Sequence, residues 1–276
     1  MSVKAAHLQS YLTVLLESFE GSDQLPTFID NLSGGNIRDA LGFVTDFVGS
    51  GHVDAQKIID TYEASGSYLV PIHEFIRAVM YKDHEYYDPG VSRIANLFDI
   101  STPDGREHFL LPNILSLVQR SGSVEVDEGY IEISRIFDYA QGLGFSPLQI
   151  RFAIDRALAK KLLEANPRFV DTGAVTSVRL TTIGAYTNSH LCTFFTYIDA
   201  VLVDTPIVDE AARKAVAVAK NIEERLDRAL RFIAYLDDQW QPLGSKSVAF
   251  DWSLVSNALK TEIERVRRRA ASHSSR

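Results

Sequence analysis

The side chains best suited to chemistry in this sequence are cations. Arg38 lies in Ser33-Gly34-Gly35-Asn36-Ile37-Arg38-Asp39-Ala40-Leu41, which has the marks of a helix start. Asn36 is a good N-cap, the glycines before it allow a tight entry, and Asp39 occupies the first turn, where an acid is favoured. An arginine in that turn opposes the helix dipole, and a residue that breaks a local rule is a candidate for function. Its chemistry would be contact with a phosphate; the simpler alternative is an ion pair with a surface carboxylate. A second set, Arg151, Arg156, Lys160 and Lys161, recurs along one helical segment, with Arg168 and Arg179 beyond it. Such a set can neutralise the phosphates of a nucleic acid. The plainer alternative is the solvated face of a helix whose buried side is Ile150, Ala153, Ile154, Ala157 and Leu158.

Other chemistry finds less support. His84-Glu85-Tyr86-Tyr87-Asp88 groups a histidine with carboxylates, yet it lacks paired ligands at helical spacing, so no metal site is expected. The single cysteine, Cys192, excludes an internal disulfide and any cysteine cluster. Ala200-Val201-Leu202-Val203-Asp204 imitates a Walker B strand, as does Ile207-Val208-Asp209-Glu210, and Gly244-Ser245-Lys246-Ser247 fails the P-loop spacing. Without a phosphate-cradling loop, a Ser-His-Asp arrangement or a Cys-His pair, the chain is expected not to be an enzyme by itself.

The elements that must carry these residues are mainly helical. Val3, Leu8, Leu12, Leu15, Leu16 and Phe19 recur at helical spacing, and a short helix from about Gln24 to Leu32 follows. The helix after Asn36 places Ile37, Ala40, Leu41, Val44, Phe47 and Val48 on one side, which is expected to be core. Asp54 caps a helix buried through Ile58, Ile59 and Tyr62, and another runs from Pro71 to Lys82. After the irregular 83–106 segment, helices are expected over Glu107–Arg120 and Gly129–Gln141, with Val124-Glu125-Val126 extended between them. Ser146-Pro147-Leu148-Gln149 is a capping box with proline at the first helical position, opening a helix to about Lys161. Two strands, Leu162–Glu164 and Val178–Thr182, flank the Asn166–Thr176 loop, and Leu180–Gly184 has the look of a closing strand. Leu191–Val203 is expected to be a buried helix. Two long helices, Pro206–Gln239 and Trp252–Arg269, parted at Pro242-Leu243-Gly244, would form an antiparallel hairpin. Its seam would run through Ile222, Leu226, Ala229, Ile233 and Leu236 on one helix and Leu254, Leu259, Ile263 and Val266 on the other.

The G-G-N-x-R-x-A-L start, with short helices on both sides, resembles the sensor-2 helix in the lid of AAA+ or STAND-type P-loop ATPases. The order helix, strand, helix, helix, strand, wing, strand resembles a winged helix-turn-helix domain. Together they imply a lid-like domain over 1–82, a linker over 83–106, a winged-helix domain with a packing helix over 107–205, and a helical hairpin over 206–276. The resemblance further implies that Arg38 reaches the γ-phosphate of ATP and that Asn36 lies beside it. Only about thirty residues precede Gly34, against the ~150 residues of a nucleotide-binding core. ATP is therefore expected only if a core domain is supplied by the same or another chain. In a winged helix the third helix faces double-stranded DNA, here with Arg151, Arg156 and Lys160, while Arg168 and Arg179 reach from the wing. In such ATPases it also serves as a docking unit. The function implied is the regulatory, effector-coupling part of a switch ATPase. The alternatives are a stand-alone DNA-binding regulator that dimerises through the C-terminal helices, and a protein-docking adaptor.

Composition bounds these readings. The 276 residues are 46% apolar and 23% charged, enough for a substantial core. A formal net charge of −8 opposes strong nonspecific attraction to nucleic acid. No apolar run is long enough to span a bilayer and the N-terminus lacks the pattern of a signal peptide. A cytoplasmic location away from membranes is expected.

Overall fold

A run of short amphipathic helices fills the first third of the chain in the computed structural model, which describes residues 3–122, 129–167, 174–216 and 219–274. They are α1 (Val3–Gly21), α2 (Gln24–Ser33), α3 (Ile37–Val48), α4 (Ala55–Ser65) and α5 (Ile72–Tyr81). Their ends follow from local chemistry. Gly34, at φ 59°, supplies the left-handed residue that closes α2. Asn36 Oδ1 then accepts from the amides of Arg38 at 2.9 Å and Asp39 at 3.3 Å, and Asp54 Oδ1 accepts from the Lys57 amide at 2.9 Å. These helices belong to the first of two compact units, Met1–Arg93 and Ile94–Arg276. Four phenylalanines form its centre. Phe28 meets Phe43 and Phe75 edge-on at 6.3 and 5.8 Å, and Phe47 stacks on Phe75 at 4.9 Å.

That centre bears out Phe47 of the expected core face of α3 and overturns Ile37, Leu41 and Val48. Phe43 and Phe47 are buried, whereas Ile37 and Leu41 are 77% and 62% exposed and Val48 is exposed as well. At 100° per residue the apolar positions of α3 span an arc of about 160°, wider than one packing contact can cover. The aromatic edge, with more surface to bury, turned inward. On α1 the core residues are Tyr11, Val14 and Leu15, and Leu12 and Leu16 face out.

The second unit starts with an irregular segment of bends and turns in which Ile94, Leu97 and Phe98 are buried. Tyr197 pins it, donating to the Ala95 carbonyl at 2.8 Å and accepting from the Leu97 amide at 2.9 Å. The irregular 83–106 segment is thus divided. Arg93 ion-pairs with Asp46 and Asp39 in the first unit, and the residues from Ile94 on pack in the second. A 3-10 turn at Gly105–Phe109 leads into α6 (Leu110–Gly122). Leu110, Leu111, Ile114, Leu115 and Val118 are buried, together with Asn113 and Ser116. A helix apolar on every side must sit at a centre, and α6 does.

Around α6 lie β1 (Ile131–Glu132), α7 (Ile133–Gly142), α8 (Pro147–Ala159), β2 (Leu163–Asn166), β3 (Ser177–Leu180) and α9 (Thr182–Ser189). The strands form one antiparallel sheet in the order β1-β3-β2, with Ile131 opposite Val178 and Leu163 opposite Leu180. The capping box at Ser146 and Gln149 is present. Val124-Glu125-Val126 lies outside the described residues. Two expectations shift here. The helix expected from Gly129 begins at Ile133, because Ile131 and Glu132 pair with β3. The closing strand stops at Leu180, because the Thr181 hydroxyl accepts from the Gly184 amide at 3.0 Å and caps α9. That cap draws α9 against the start of β2. A Cβ at Gly184 would stand 2.2 Å from the Leu162 carbonyl oxygen, and backbone cannot swing aside. Gly184→Ala is expected to lower stability by about 1–3 kcal/mol, read as a reduced urea midpoint with an unchanged m-value.

The remaining helices are α10 (Phe195–Val201), α11 (Glu210–Ala215), α12 (Ile222–Gly244) and α13 (Trp252–Ser274). The buried helix expected over Leu191–Val203 is a 3-10 turn at Leu191–Thr193 followed by α10. Thr205-Pro206 does not open a long helix. Thr205 Oγ1 donates to the Val201 carbonyl at 2.8 Å and accepts from Asn96 at 2.9 Å, closing α10 instead. Asn221 caps α12 through the Glu224 amide at 2.9 Å. Pro242 does not end α12 either; the helix runs through it to Gly244, with Leu243 buried. One missing N–H in a last turn costs little beside that burial. α12 and α13 are antiparallel. Asp237 meets Trp252 and Lys260 at 2.7 Å each, while Arg267 meets Asp227 at 2.7 Å. Leu226, Ala229, Ile233, Leu236, Leu259 and Ile263 form the buried seam, and Ile222 and Leu254 lie outside it.

Candidate functional site

Two surfaces carry the residues singled out from the sequence, one in each unit. In the first, the cap at Asn36 fixes the start of α3 and turns the Arg38 side chain to solvent. Among the described residues Arg38 has no ion-pair partner. Its neighbour Asp39 is engaged by Arg93 at 3.3 Å, and Asp46 is engaged by Arg93 at 3.0 Å and Lys82 at 3.4 Å. Asn36 spends its carbonyl oxygen on the cap. Beside Arg38, the side of α3 that the phenylalanines leave outside forms a groove of about 440 Å³ with α1 and α2, lined by Phe19, Pro26, Ile29, Ile37, Leu41 and Val44.

In the second unit α8 is held by its buried stripe, Ile150, Ala153, Ile154 and Ala157. Its cations are mostly committed within the chain. Arg156 Nη1 donates to Asp99 at 2.6 Å, and Arg179 on β3 donates to Glu164 on β2 at 2.6 Å while its guanidinium lies 5.0 Å from the Tyr130 ring. The Arg151 guanidinium lies 5.5 Å over the Phe137 ring. Lys160 is half-buried and also has a partner. Arg168 lies outside the described residues. What α8 presents outward is Leu148 and Phe152, 59% and 44% exposed, with Ala159 on the same side. These were not among the expected site residues. The available signal was their i, i+4 spacing opposite the buried stripe.

Beneath α8 a buried polar cluster fixes its N-terminus. Glu107, fully buried, accepts from the amides of Ser101 at 2.9 Å and Thr102 at 3.0 Å, from both their hydroxyls, and from Gln149 Nε2 at 3.2 Å. Burial pushes the Glu107 carboxyl up, and the hydrogen bonds from Ser101, Thr102 and Gln149 outweigh it, holding the group below the usual glutamate value. Gln149 is also the third residue of the capping box, its Oε1 accepting from the Ser146 amide at 2.8 Å. One amide therefore ties the helix start to the buried acid. Both Glu107 oxygens and Gln149 Oε1 are engaged from within the chain, the pattern of a structural anchor. Among the described residues no three His, Cys, Asp or Glu side chains are grouped to hold a metal ion, and no helix is long and apolar enough to cross a membrane. Comparison with protein-family models, with curated proteins and with solved structures yields no match.

Proposed function

We propose that the chain is the regulatory, effector-coupling part of an AAA+ or STAND-type switch ATPase, and that its second unit contains a winged helix used to dock a protein. The observation that carries the docking assignment is the outward side of α8. It offers Leu148 and Phe152, while Arg156 and Arg179, which would contact phosphates, are paired with Asp99 and Glu164. A helix that reads DNA presents unpaired cations and polar side chains to the groove. The sheet order β1-β3-β2, following the order helix, strand, helix, helix, strand, strand, supports the winged-helix reading. In the lid-like unit the exposed Arg38 would meet the γ-phosphate of ATP held by a core domain, with Asn36 holding the helix start in place.

A fluorescence anisotropy titration with mixed-sequence duplex DNA at low salt tests the choice of partner. No binding up to tens of micromolar is expected. Micromolar binding that weakens steeply with salt, and that is lost in Arg151→Glu/Arg156→Glu/Lys160→Glu, would overturn docking in favour of a stand-alone DNA-binding regulator.

A further inference from the structure

We propose that the groove between α1, α2 and α3 is a docking site for a basic amphipathic helix of another protein. Ile37 and Leu41 stand in the open on a well-capped helix, four residues apart, and α1 continues the apolar surface through Phe19, Leu16 and Leu12 at helical spacing. The result is an elongated exposed apolar strip, and contiguous exposed apolar surface rimmed by polar residues marks interaction sites. Its shape suits a helix that lays an i, i+3, i+4, i+7 face into it.

Charge selects the occupant. The 1–93 segment carries thirteen Asp and Glu against six Lys and Arg, nearly the whole net charge of −8 of the chain. Asp30 lines the groove, and Glu20 and Asp23 are exposed within three residues of Phe19 and Pro26, so these acids outnumber the exposed Arg38 that follows Ile37. A second copy of this surface would bring like charges together, and an anionic membrane would be repelled in the same way. A helix with a leucine-rich face and flanking lysines or arginines satisfies both the strip and its rim. The assignment stands on this surface alone and does not depend on the ATPase reading.

The test uses the full chain and a fluorescein-labelled synthetic peptide of about 18 residues, long enough to hold a helix, with leucines at i, i+3, i+4 and i+7 and lysines elsewhere. A counterpart carries glutamate in place of every lysine. The lysine peptide is expected to bind in the micromolar range, and the glutamate peptide at least about tenfold more weakly. Ile37→Asp/Leu41→Asp is expected to weaken binding by about tenfold or more, although it makes the protein more acidic. Both positions are exposed, so the fold should persist, and circular dichroism and the urea midpoint check that it does. Val248→Asp/Leu254→Asp, at exposed apolar positions of the second unit, should bind as the parent does. No binding, or binding that Ile37→Asp/Leu41→Asp leaves unchanged or strengthens, overturns the proposal. A dimer by sedimentation, or association with phosphatidylserine vesicles, that the same variant abolishes would assign the groove to a second copy or to a lipid surface and overturn it as well.

Discussion

Asp199→Ala is expected to destabilise the second unit by about 3–5 kcal/mol. The Asp199 side chain on α10 is 2% exposed and receives two arginines from α12, Arg225 through Nε at 3.0 Å and through Nη2, and Arg228 through Nη2 at 2.7 Å. The two cations are themselves only 24% and 12% exposed. Removing the carboxylate leaves both guanidinium groups largely desolvated without the anion they share, and Arg228 Nε already lacks a hydrogen-bond partner. The loss would come from those stranded charges rather than from the attraction itself, since a buried pair often breaks even against apolar residues of the same volume. Asp199→Leu/Arg225→Met/Arg228→Met is therefore expected to recover most of the stability. Urea unfolding of the three proteins measures both effects. A loss below about 1 kcal/mol for Asp199→Ala would place the cluster with solvated surface pairs.

The second large effect is acid sensitivity centred on His108. His108 is fully buried, with Nδ1 2.5 Å from the Phe98 carbonyl and Nε2 3.0 Å from the Tyr235 hydroxyl. A carbonyl can only accept, so Nδ1 carries the proton and Nε2 accepts from Tyr235. Burial brings the imidazole down to about 4, although the Phe98 carbonyl and the carboxylates of Asp99 and Glu107 pull it upward. The folded value lies below the unfolded one of about 6.5, so between these pH values the unfolded chain binds a proton that the folded chain does not. The contribution is complete above about pH 6.5 and is lost as pH falls toward about 4. Over that window the loss is about 3 kcal/mol. The depressed Glu107 acts below the ordinary glutamate range, which separates it from the upper part of the His108 window. His108→Gln keeps a donor and an acceptor without a titrating group. It is expected to start less stable at pH 7 and to show a flatter decline from pH 7 to 5 in urea midpoints. An unchanged slope would remove His108 as the source.

How much of this was legible in the sequence depends on the distance over which each feature is decided. Asn36, Asp54 and the Ser146/Gln149 box mark helix starts through contacts within three residues, and all are as the sequence specifies. The buried stripe of α8 and the seam residues from Leu226 to Leu236 follow from helical spacing with little competition. Where two apolar sides compete, as on α3, spacing makes a helix but leaves its rotation open. The packing of Phe43 and Phe47 on Phe28 and Phe75 sets it. The same packing leaves Ile37 and Leu41 to form a groove.

The candidate site was less legible than the fold for a related reason. A cation is visible in a sequence, but its partner is not. Asp99, which engages Arg156, is 57 residues away, and Glu164, which engages Arg179, is reached only because β2 and β3 pair. By itself, the sequence determined a mainly helical chain, the caps and the amphipathic spacing of its helices, because these rest on neighbours within a turn or two. Only the tertiary structure decided which apolar side is buried, where strand gives way to helix at Glu132 and at Thr181, and which charges are spent inside the chain, because each is a contest between contacts from distant segments.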